Sequence, residues 1–338
     1  MGTIRVGING LGRIGRAVVR QIADRDDVDL VAVNDRNSPD ELAYLLRYDS
    51  IHGRFGPVAQ QHGSLVIRGK AIPCSSHNDP TAIPWRGVGA EVVIESTGAF
   101  RSRAAAAGHL EAGAERVILS APSDDVDVTV VPGVNDQDYD PARHQVVSLA
   151  SCTTNCLAPV LKVLDQAFGV EHAVFTTIHA YTSSQSLVDA PARTRPRGRA
   201  AALSIIPTTT GASKATERVL PELNGRISGM AIRVPVPDGS LTDLVVQLRR
   251  EATAHEVNAA FRSAAGRPEL EAILGVSDDR LVSADIIGDF RSAVIDAANT
   301  RVSAGRVVKV LAWYDNECAY AARLVDFVKC VARKPQLS

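Results

Sequence analysis

The sequence predicts an α/β protein with two domains: a doubly wound parallel sheet first, then an α+β domain with an antiparallel sheet. Three observations predict this. Strand-like and helix-like runs alternate over roughly the first 150 residues, and strands outnumber helices after Cys152. The chain has 338 residues, which is longer than one ordinary hydrophobic core organises, so two domains are expected.

The first half is predicted element by element. Apolar residues alternate at Ile4, Val6 and Ile8, as in a strand, and the helical run "RAVVRQIADR" follows. The strand "VDLVAVND" precedes the helix "DELAYLLRY", for which Ser38 is the expected cap. "GSLVIRGKAIPC" is typical of a hairpin. "AEVVIESTG" and "ERVILSAP" are predicted as buried parallel strands on either side of a helix over 102–112, and "QVVSLAS" as another strand.

The second half mixes longer strands with fewer helices. The helices "CLAPVLKVLDQAF" and "AHEVNAAFRSAAG" are expected, with strands at "AVFTTIHAY", "SGMAIRVPV", "LTDLVVQLRR" and "VVKVLAWYD". Residues 183–204 have no clear period, and a structureless segment of that length is often functional. The run at 316–333 predicts an amphipathic C-terminal helix.

Composition and charge exclude several classes of protein. The net charge is −1, with no basic block to suggest nucleic acid and no acidic tail to suggest a charged partner. We expect neither a signal peptide nor a membrane span, so the predicted compartment is the cytoplasm. Five scattered cysteines argue against a disulfide framework.

A glycine-rich turn near the N-terminus predicts a dinucleotide site. Gly10, Gly12 and Gly15 follow a predicted strand, open a helix, and precede Asp35 at the end of the next strand by 20 residues. The glycines permit a tight turn and close backbone approach to a pyrophosphate, which the helix N-terminus attracts. Asp35 can accept hydrogen bonds from ribose hydroxyls. Its carboxylate repels a 2′-phosphate and favours NAD, while the adjacent Arg36 keeps NADP open as a minor cofactor.

The stretch "SCTTNC" leaves three roles for its cysteines: a disulfide, half of a metal site, or one nucleophile beside a packing residue. A reducing compartment disfavours a disulfide, and no second Cys/His pair accompanies it at zinc-like spacing, so no metal is expected. Cys152 lies where a strand ends and a helix begins, which should lower its pKa. Cys156 is one turn inside the helix and is expected to be buried. His179, at the end of an apolar strand, is the candidate base; the other seven histidines are expected in exposed loops or helix faces.

Motifs along nearly the whole chain then resemble one family. "INGLGRIGR", "YDSIHGRF", "ASCTTNCLAP", "TTIHAYT", "IIPTTTGASKA", "LPELNG", "AIRVP" and "WYDNE" occur in this order, and together they resemble phosphorylating glyceraldehyde-3-phosphate dehydrogenase. The resemblance implies a Rossmann-type NAD-binding domain over 1–151, joined by the C-terminal helix 316–338, and a catalytic domain over 152–315. It also implies a homotetramer, in which the segment 183–204 reaches a neighbouring subunit.

The resemblance implies a thioester mechanism. The Cys152 thiolate would attack the aldehyde of glyceraldehyde 3-phosphate, and His179 would activate the thiol and then take the hydroxyl proton as hydride leaves. Inorganic phosphate would then attack the thioester to give 1,3-bisphosphoglycerate. Erythrose-4-phosphate dehydrogenase, or a non-catalytic NAD-binding redox sensor, remains an alternative.

The resemblance also assigns binding roles to individual positions. Thr182, Arg197 and Arg233 would lie near the substrate phosphate, and Ser151, Thr153, Thr210 and Gly211 near the attacking phosphate. For the cofactor, the implied contacts beyond the glycine turn and Asp35 are the backbone of Arg13 and Ile14, together with Ser120 and Asn316 near the nicotinamide. Pro191 matches the NAD-using branch of the family.

The sequence departs from the family pattern around these pockets. Cys318 and Ala319 stand where an aromatic residue and a glycine are usual, Asn78 replaces a common arginine, and Ser184 replaces a frequent Asp or Thr. "RVPVPDGSLTDL" has Val236, Asp238 and Gly239 where Thr, Asn and Val are usual. These changes suggest a divergent paralogue with altered cofactor affinity, inhibitor sensitivity or flux direction.

Overall fold

The architecture is that of a computed structural model, which describes residues 2–332. These residues form two compact units. The first comprises 2–130, 136–150 and 321–332, and the second comprises 131–135 and 151–320. Within 2–332, no helix combines the length and apolar character that crossing a membrane requires.

The first unit alternates strands and helices, as predicted. Its elements are β1 (Ile4–Asn9), α1 (Arg13–Ile22), β2 (Val28–Asn34), α2 (Pro39–Arg47), β3 (Tyr48–Asp49), β4 (Gly53–Arg54), β5 (Val58–Gln61), β6 (Ser64–Ile67), β7 (Lys70–Ser75), α3 (Trp85–Val88), β8 (Val92–Glu95), α4 (Arg103–Glu111), β9 (Arg116–Leu119), β10 (Val128–Thr129) and β11 (Val146–Ser148).

Its main sheet has the strand order β10-β11-β9-β8-β1-β2-β7-β6-β5. All neighbours from β10 to β7 pair in parallel, and β7, β6 and β5 form an antiparallel edge. From β1 the chain first adds β2 on one side and later β8 on the other. The strand order therefore reverses at β1, which is where doubly wound sheets bind ligands beyond the carboxyl ends of their strands.

Local capping explains where several helices begin. The Ser38 hydroxyl accepts a hydrogen bond from the Glu41 amide at the start of α2, as predicted. The Ser102 hydroxyl caps α4 in the same way through the Ala105 amide. Trp85 is fully buried beneath β1, where a Cβ on Gly7 would come within 2.6 Å of its ring. That close approach is why the middle of β1 carries no side chain at this position.

The second unit contains the longer strands. Its elements are α5 (Cys152–Phe168), β12 (Val170–Ala180), β13 (Ile206–Thr208), α6 (Ala212–Val219), β14 (Ile227–Val234), β15 (Ser240–Leu248), α7 (Ala254–Ala265), β16 (Leu274–Ser277), β17 (Ala293–Asp296), β18 (Arg301–Ser303) and β19 (Val307–Tyr314). The predicted aperiodic segment 183–204 contains only a short 3-10 turn, Arg195–Gly198.

The second sheet is mixed, whereas the sequence predicted an antiparallel one. Its order is β13-β14-β12-β15-β19-β17-β16, with β18 on β19. β12 pairs with β14 in parallel, and so does β16 with β17. A parallel pair needs a long crossover, and the connection from β12 to β14 supplies one because it carries β13 and α6. Strand spacing along the sequence does not reveal such a crossover.

The last helix, α8, spans Cys318–Val331. It begins two residues after Asn316, where the helix was predicted to start. Residues 316–317 form a turn instead, in which Asp315 Oδ1 accepts hydrogen bonds from the Glu317 and Cys318 amides. The predicted part beyond 332 lies outside the described residues.

Candidate active site and cofactor site

The glycine turn after β1 admits no side chain at two positions. Gly10 has φ of +92°, and a Cβ there would lie 2.8 Å from Thr97. A Cβ on Gly15 would lie 2.0 Å from the Gly10 carbonyl oxygen, which no rearrangement of side chains could relieve. Gly12 is the N-cap of α1, and a Cβ there would meet nothing within 4 Å. At the switch point of the sheet, the turn therefore presents backbone that no side chain covers, together with the start of α1.

Asp35 follows β2 at the same edge, with its carboxylate held by backbone. Its Oδ2 accepts from the Leu11 amide at 2.7 Å, and its Oδ1 accepts from the Asn37 amide at 2.9 Å. The neighbouring Arg36 is exposed. A cavity of ≈ 370 Å³ opens here, and its lining includes Gly10, Gly12, Asp35 and Asn78. Its size, fixed carboxylate and bare turn suit the adenosine and pyrophosphate of a dinucleotide.

Other predicted cofactor residues lie at this edge as well. The Arg13 side chain pairs with Asp49 at 2.5 Å at the start of α1, so its guanidinium is already engaged within the chain. Ser120 directly follows β9 and donates its amide to the Glu95 carbonyl. Asn316 belongs to the second unit.

His109 corrects the expectation that the remaining histidines are exposed, because it is fully buried. Its Nδ1 accepts from the Trp85 indole N–H at 3.0 Å, so its proton is on Nε2 and faces Glu95 Oε2 at 3.0 Å. The buried Glu95 also accepts from Asn9 Nδ2 and the Thr97 amide. The sequence contained no signal for this network, since its members come from four separate segments.

Cys152 is the first residue of α5. Ser151 is the N-cap, and its hydroxyl accepts from the Thr154 amide at 3.1 Å. Ala150 has φ of +54°, an uncommon value for a residue with a side chain, and it turns the chain sharply before the helix. The same helix buries Cys156 completely, as expected, with its Sγ 3.6 Å from Thr242 Oγ1.

The structure brings Cys152 and His179 together. Cys152 Sγ lies 3.5 Å from His179 Nε2 at the carboxyl end of β12. The other ring nitrogen, Nδ1, lies 2.7 Å from the Ala180 carbonyl oxygen and 2.8 Å from Arg233 Nη1. A guanidinium only donates, so its bond to Nδ1 puts the ring proton on Nε2. When Nδ1 carries the proton and donates to Ala180, Nε2 can accept the proton of the thiol.

The pKa of Cys152 differs from the sequence expectation. Burial raises the pKa of the Cys152 thiol, and the Arg233 charge only partly opposes this, whereas the helix start was expected to lower it. Burial, followed by the charges of Arg233 and Arg197, lowers the pKa of His179 to about 3. At neutral pH the pair is therefore a thiol beside a neutral imidazole, whose Nε2 can act as the base once Nδ1 carries the ring proton.

The depressed pKa of His179 predicts acid sensitivity. An unfolded histidine titrates near 6.5, so below that pH the unfolded chain binds a proton that the folded chain does not. The contribution of His179 to the free energy of unfolding should be complete above pH 6.5 and should be lost as the pH drops toward 3. Between pH 7 and pH 4.5 we expect the free energy of unfolding to fall by about 2 to 3 kcal/mol. Urea denaturation across this window measures it.

The matched comparison for this prediction is the His179→Gln variant, which has no group that titrates there. Its unfolding free energy should vary less with pH over the same window. Equal pH dependence in the two proteins would contradict the assigned pKa of His179.

The basic and hydroxyl residues that were predicted to bind phosphate belong to the same unit as this pair. The register of β12 and β14 sets His179 beside Arg233. Arg197 Nε donates to Thr208 Oγ1 at 3.0 Å, and its Nη2 donates to the Thr209 carbonyl. The remaining predicted residues have these contacts: Thr182 Oγ1 with Ser184 Oγ at 2.9 Å, Thr153 Oγ1 with Tyr314 Oη at 3.0 Å, Thr210 Oγ1 accepting from the Ala212 amide, and Gly211 as the N-cap of α6.

Sequence reasoning missed three polar residues in this unit. The fully buried Tyr314 contacts Thr153 and also Thr177 Oγ1, at 2.8 Å. Ser240 donates to Asn316 Oδ1 at 2.6 Å, and Asp315 Oδ1 accepts from the Cys318 amide in the turn before α8. An aspartate shortly before a helix was a readable signal for such a turn, whereas the partners of Tyr314 and Ser240 depend on tertiary structure.

The chain combines a parallel sheet, with a glycine turn and a carboxylate at its switch point, and a pair formed by a thiol and an imidazole. Together these features define an NAD-dependent dehydrogenase. Two family models match the chain: "Glyceraldehyde 3-phosphate dehydrogenase, NAD binding domain" over residues 4–103, and "Glyceraldehyde 3-phosphate dehydrogenase, C-terminal domain" over 151–316. The chain belongs to the glyceraldehyde-3-phosphate dehydrogenase family.

Curated relatives are similar over nearly their whole length. Glyceraldehyde-3-phosphate dehydrogenase 1 of Bacillus subtilis (strain 168) is 51% identical over 98% of this chain and 99% of its own. The glyceraldehyde-3-phosphate dehydrogenases of Streptomyces coelicolor and Geobacillus stearothermophilus are each 50% identical with the same coverage.

Proposed function

We propose that the protein oxidises glyceraldehyde 3-phosphate with NAD and inorganic phosphate to give 1,3-bisphosphoglycerate. The observation that supports this most strongly is the 3.5 Å contact of Cys152 Sγ with His179 Nε2, within a family named for that dehydrogenase. The first unit would bind NAD and the second would carry the chemistry.

In this proposal His179 moves the proton and Cys152 forms the covalent bond. Nε2 takes the thiol proton while Sγ bonds to the aldehyde carbon, and it passes that proton to the carbonyl oxygen to give a hydroxyl. The neutral Nε2 then removes the hydroxyl proton as hydride leaves the same carbon. NAD supplies the hydride acceptor. Phosphate oxygen attacks the thioester carbon, the C–S bond breaks, and the thiolate of Cys152 is released.

The phosphate groups would be held by basic and hydroxyl residues of the second unit. The substrate phosphate would attract Arg197, Arg233 and Thr182, while the attacking phosphate would meet Ser151, Thr153, Thr210 and Gly211 as the predicted second anion site. A phosphate that draws Arg233 away from His179 Nδ1 leaves that nitrogen to donate to the Ala180 carbonyl. This favours the tautomer in which Nε2 is the base.

The test is NAD reduction by the purified protein with glyceraldehyde 3-phosphate, with and without inorganic phosphate. We expect strong phosphate dependence, because only phosphate discharges the thioester rapidly. Turnover indifferent to phosphate, or faster with erythrose 4-phosphate, would contradict the proposal.

Asp35 should set the preference for NAD, with NADP as a minor cofactor. The Asp35→Asn variant removes the charge that repels a 2′-phosphate but keeps an oxygen for the Leu11 amide. We expect the ratio of NADP to NAD use, as kcat/KM, to rise by about tenfold. An unchanged ratio would contradict this, and Arg36→Ala is the paired variant that should lower NADP use.

We propose a homotetramer in the cytoplasm. Large apolar side chains are exposed in the segment 183–204 and on one face of the second sheet, among them Leu187, Leu203, Val174 and Met230, and such surfaces favour subunit contacts. All five cysteines are free, as in a reducing compartment. Light scattering should give four times the mass of the chain, and a monomer would contradict the tetramer.

A further inference from the structure

A buried serine joins the catalytic strand to the residue before the last helix. Ser240 is fully buried at the start of β15, in register with Tyr314 at the end of β19. Its Oγ lies 3.1 Å from the Ala180 amide nitrogen and 2.6 Å from Asn316 Oδ1. The hydroxyl therefore bridges the residue after His179 and the Asn316 side chain.

The direction of these two hydrogen bonds follows from the donors present. The Ala180 N–H can only donate, so Ser240 Oγ accepts from it. The hydroxyl hydrogen is then directed at Asn316, at a distance usual for an O–H···O bond. In the structure Asn316 turns its oxygen toward Ser240, and its Nδ2 points the other way.

The backbone on either side of Asn316 is held separately. Asp315 Oδ1 accepts from the Glu317 and Cys318 amides, and its Oδ2 accepts from the Gly288 amide at 2.8 Å. Since Asp315 and Asn316 are both buried, the main remaining freedom is the flip of the amide. An amide side chain flips between nearly isosteric orientations, so a single strong hydrogen bond decides which one is populated.

We propose that Ser240 is a positioning residue that sets the orientation of the Asn316 amide, so that Asn316 presents a donor to the cofactor. This rests on the proposed function, in which Asn316 faces the nicotinamide. An Nδ2 group recognises an acceptor, which on that ring is the carbonyl oxygen of the carboxamide. Ser240 thereby favours cofactors that carry this carbonyl oxygen, although Ser240 itself does not contact the cofactor.

The same hydroxyl connects this recognition to the base. The Ala180 peptide donates its N–H to Ser240, and its carbonyl oxygen lies 2.7 Å from His179 Nδ1. Removing the hydroxyl frees the Asn316 amide to flip and leaves a buried N–H without its partner. The variant should therefore lose both cofactor discrimination and some stability, and the two losses need separate measurements.

The experiment measures binding by calorimetry on the full-length protein, with NAD and with its thionicotinamide analogue as probes. The thiocarbonyl sulfur is a weak acceptor, so the wild type should prefer NAD. In Ser240→Ala we expect binding of NAD to weaken by about 5- to 10-fold. The preference for NAD over the analogue should shrink toward one, a change that a general loss of stability does not produce.

Two further variants locate the effect. In an Asn316→Ala background, Ser240→Ala should cause no further loss of binding or preference, because the residue acts through Asn316. Ser292→Ala is the matched control. Ser292 is also buried in the second unit, and its Oγ has no hydrogen-bond partner among the described residues. This variant should bind like the wild type.

The inference is overturned if Ser240→Ala prefers NAD over the analogue as strongly as the wild type does. It is also overturned if Ser240→Ala weakens NAD binding as much in the Asn316→Ala background as it does alone. If Ser240→Ala does not fold, Ser240→Cys fills the same space with a much weaker donor, and a wild-type preference there also overturns it. Neither outcome touches the proposed function, which fails only if the wild type does not bind NAD or shows no phosphate-dependent turnover.

Discussion

Replacing Cys152 by serine should lower phosphorylating turnover by at least about 10⁴-fold, or ~5.5 kcal/mol of the activation barrier. The oxygen of serine is a poorer nucleophile than a thiolate at neutral pH, and a serine ester would have to form where the thioester forms. His179 Nε2, which lies 3.5 Å from Cys152 Sγ, would face the new hydroxyl, but an alcohol is a far weaker acid than a thiol, so the same imidazole ionises it much less. The measurement is kcat for NAD reduction at saturating substrate.

Cys156→Ser is the matched control, since it makes the same change one helical turn away. Cys156 is fully buried beside the Thr242 hydroxyl, which can donate to or accept from a serine hydroxyl, and the Ala312 carbonyl oxygen, which can accept from it. We expect turnover within a few fold of the wild type. A Cys152→Ser enzyme that keeps substantial turnover, or a Cys156→Ser enzyme that loses it equally, would contradict the role given to Cys152.

Replacing Gly15 by alanine should unfold or distort the turn that receives the dinucleotide. The new Cβ would lie 2.0 Å from the Gly10 carbonyl oxygen, well inside van der Waals contact, and 3.1 Å from Ser96 Oγ. Ser96 Oγ itself donates to Gly10 O at 2.6 Å, so the carbonyl is held where the methyl must go. We expect the free energy of unfolding to fall by about 2 to 4 kcal/mol, with NAD binding lost.

Gly12→Ala provides the comparison, because the same methyl at Gly12 meets nothing within 4 Å and the backbone has φ of −64°. Its stability should match the wild type or exceed it slightly. Only binding should suffer, because the added methyl stands where backbone approaches the pyrophosphate. Urea denaturation and calorimetry with NAD separate the two effects; equal stability of Gly12→Ala and Gly15→Ala would contradict the steric argument.

One of the departures from the family pattern has a backbone cause. Gly239 has φ of +82°, and a Cβ there would lie 2.2 Å from the Ser283 carbonyl oxygen. The valine usual in the family cannot occupy this conformation, so this chain turns differently just before Ser240. The hypothesis of altered cofactor affinity in a divergent paralogue has its most direct physical basis here. Nothing in the structure explains why Ser184, whose hydroxyl meets Thr182, replaces an Asp or Thr.

The sequence by itself determined the alternation of elements in the first unit, the glycine turn and its carboxylate, and the order of the family motifs. These are local properties: periodicity, a Ser38 cap and the spacing from Gly15 to Asp35 are all readable within a short stretch of chain. The candidate pair Cys152 and His179 was also readable, through motif resemblance and the end of a strand.

Only the tertiary structure decided the mixed second sheet, the neutral state of the Cys152–His179 pair, the burial of His109 and the bridge made by Ser240. Each depends on residues far apart in sequence that the tertiary structure brings together, as Ser240 meets Ala180 and Asn316. The pKa of Cys152 shows the reason clearly. The start of a helix is visible in the sequence and lowers a thiol pKa, but the burial that raises it more is a property of packing around the folded site.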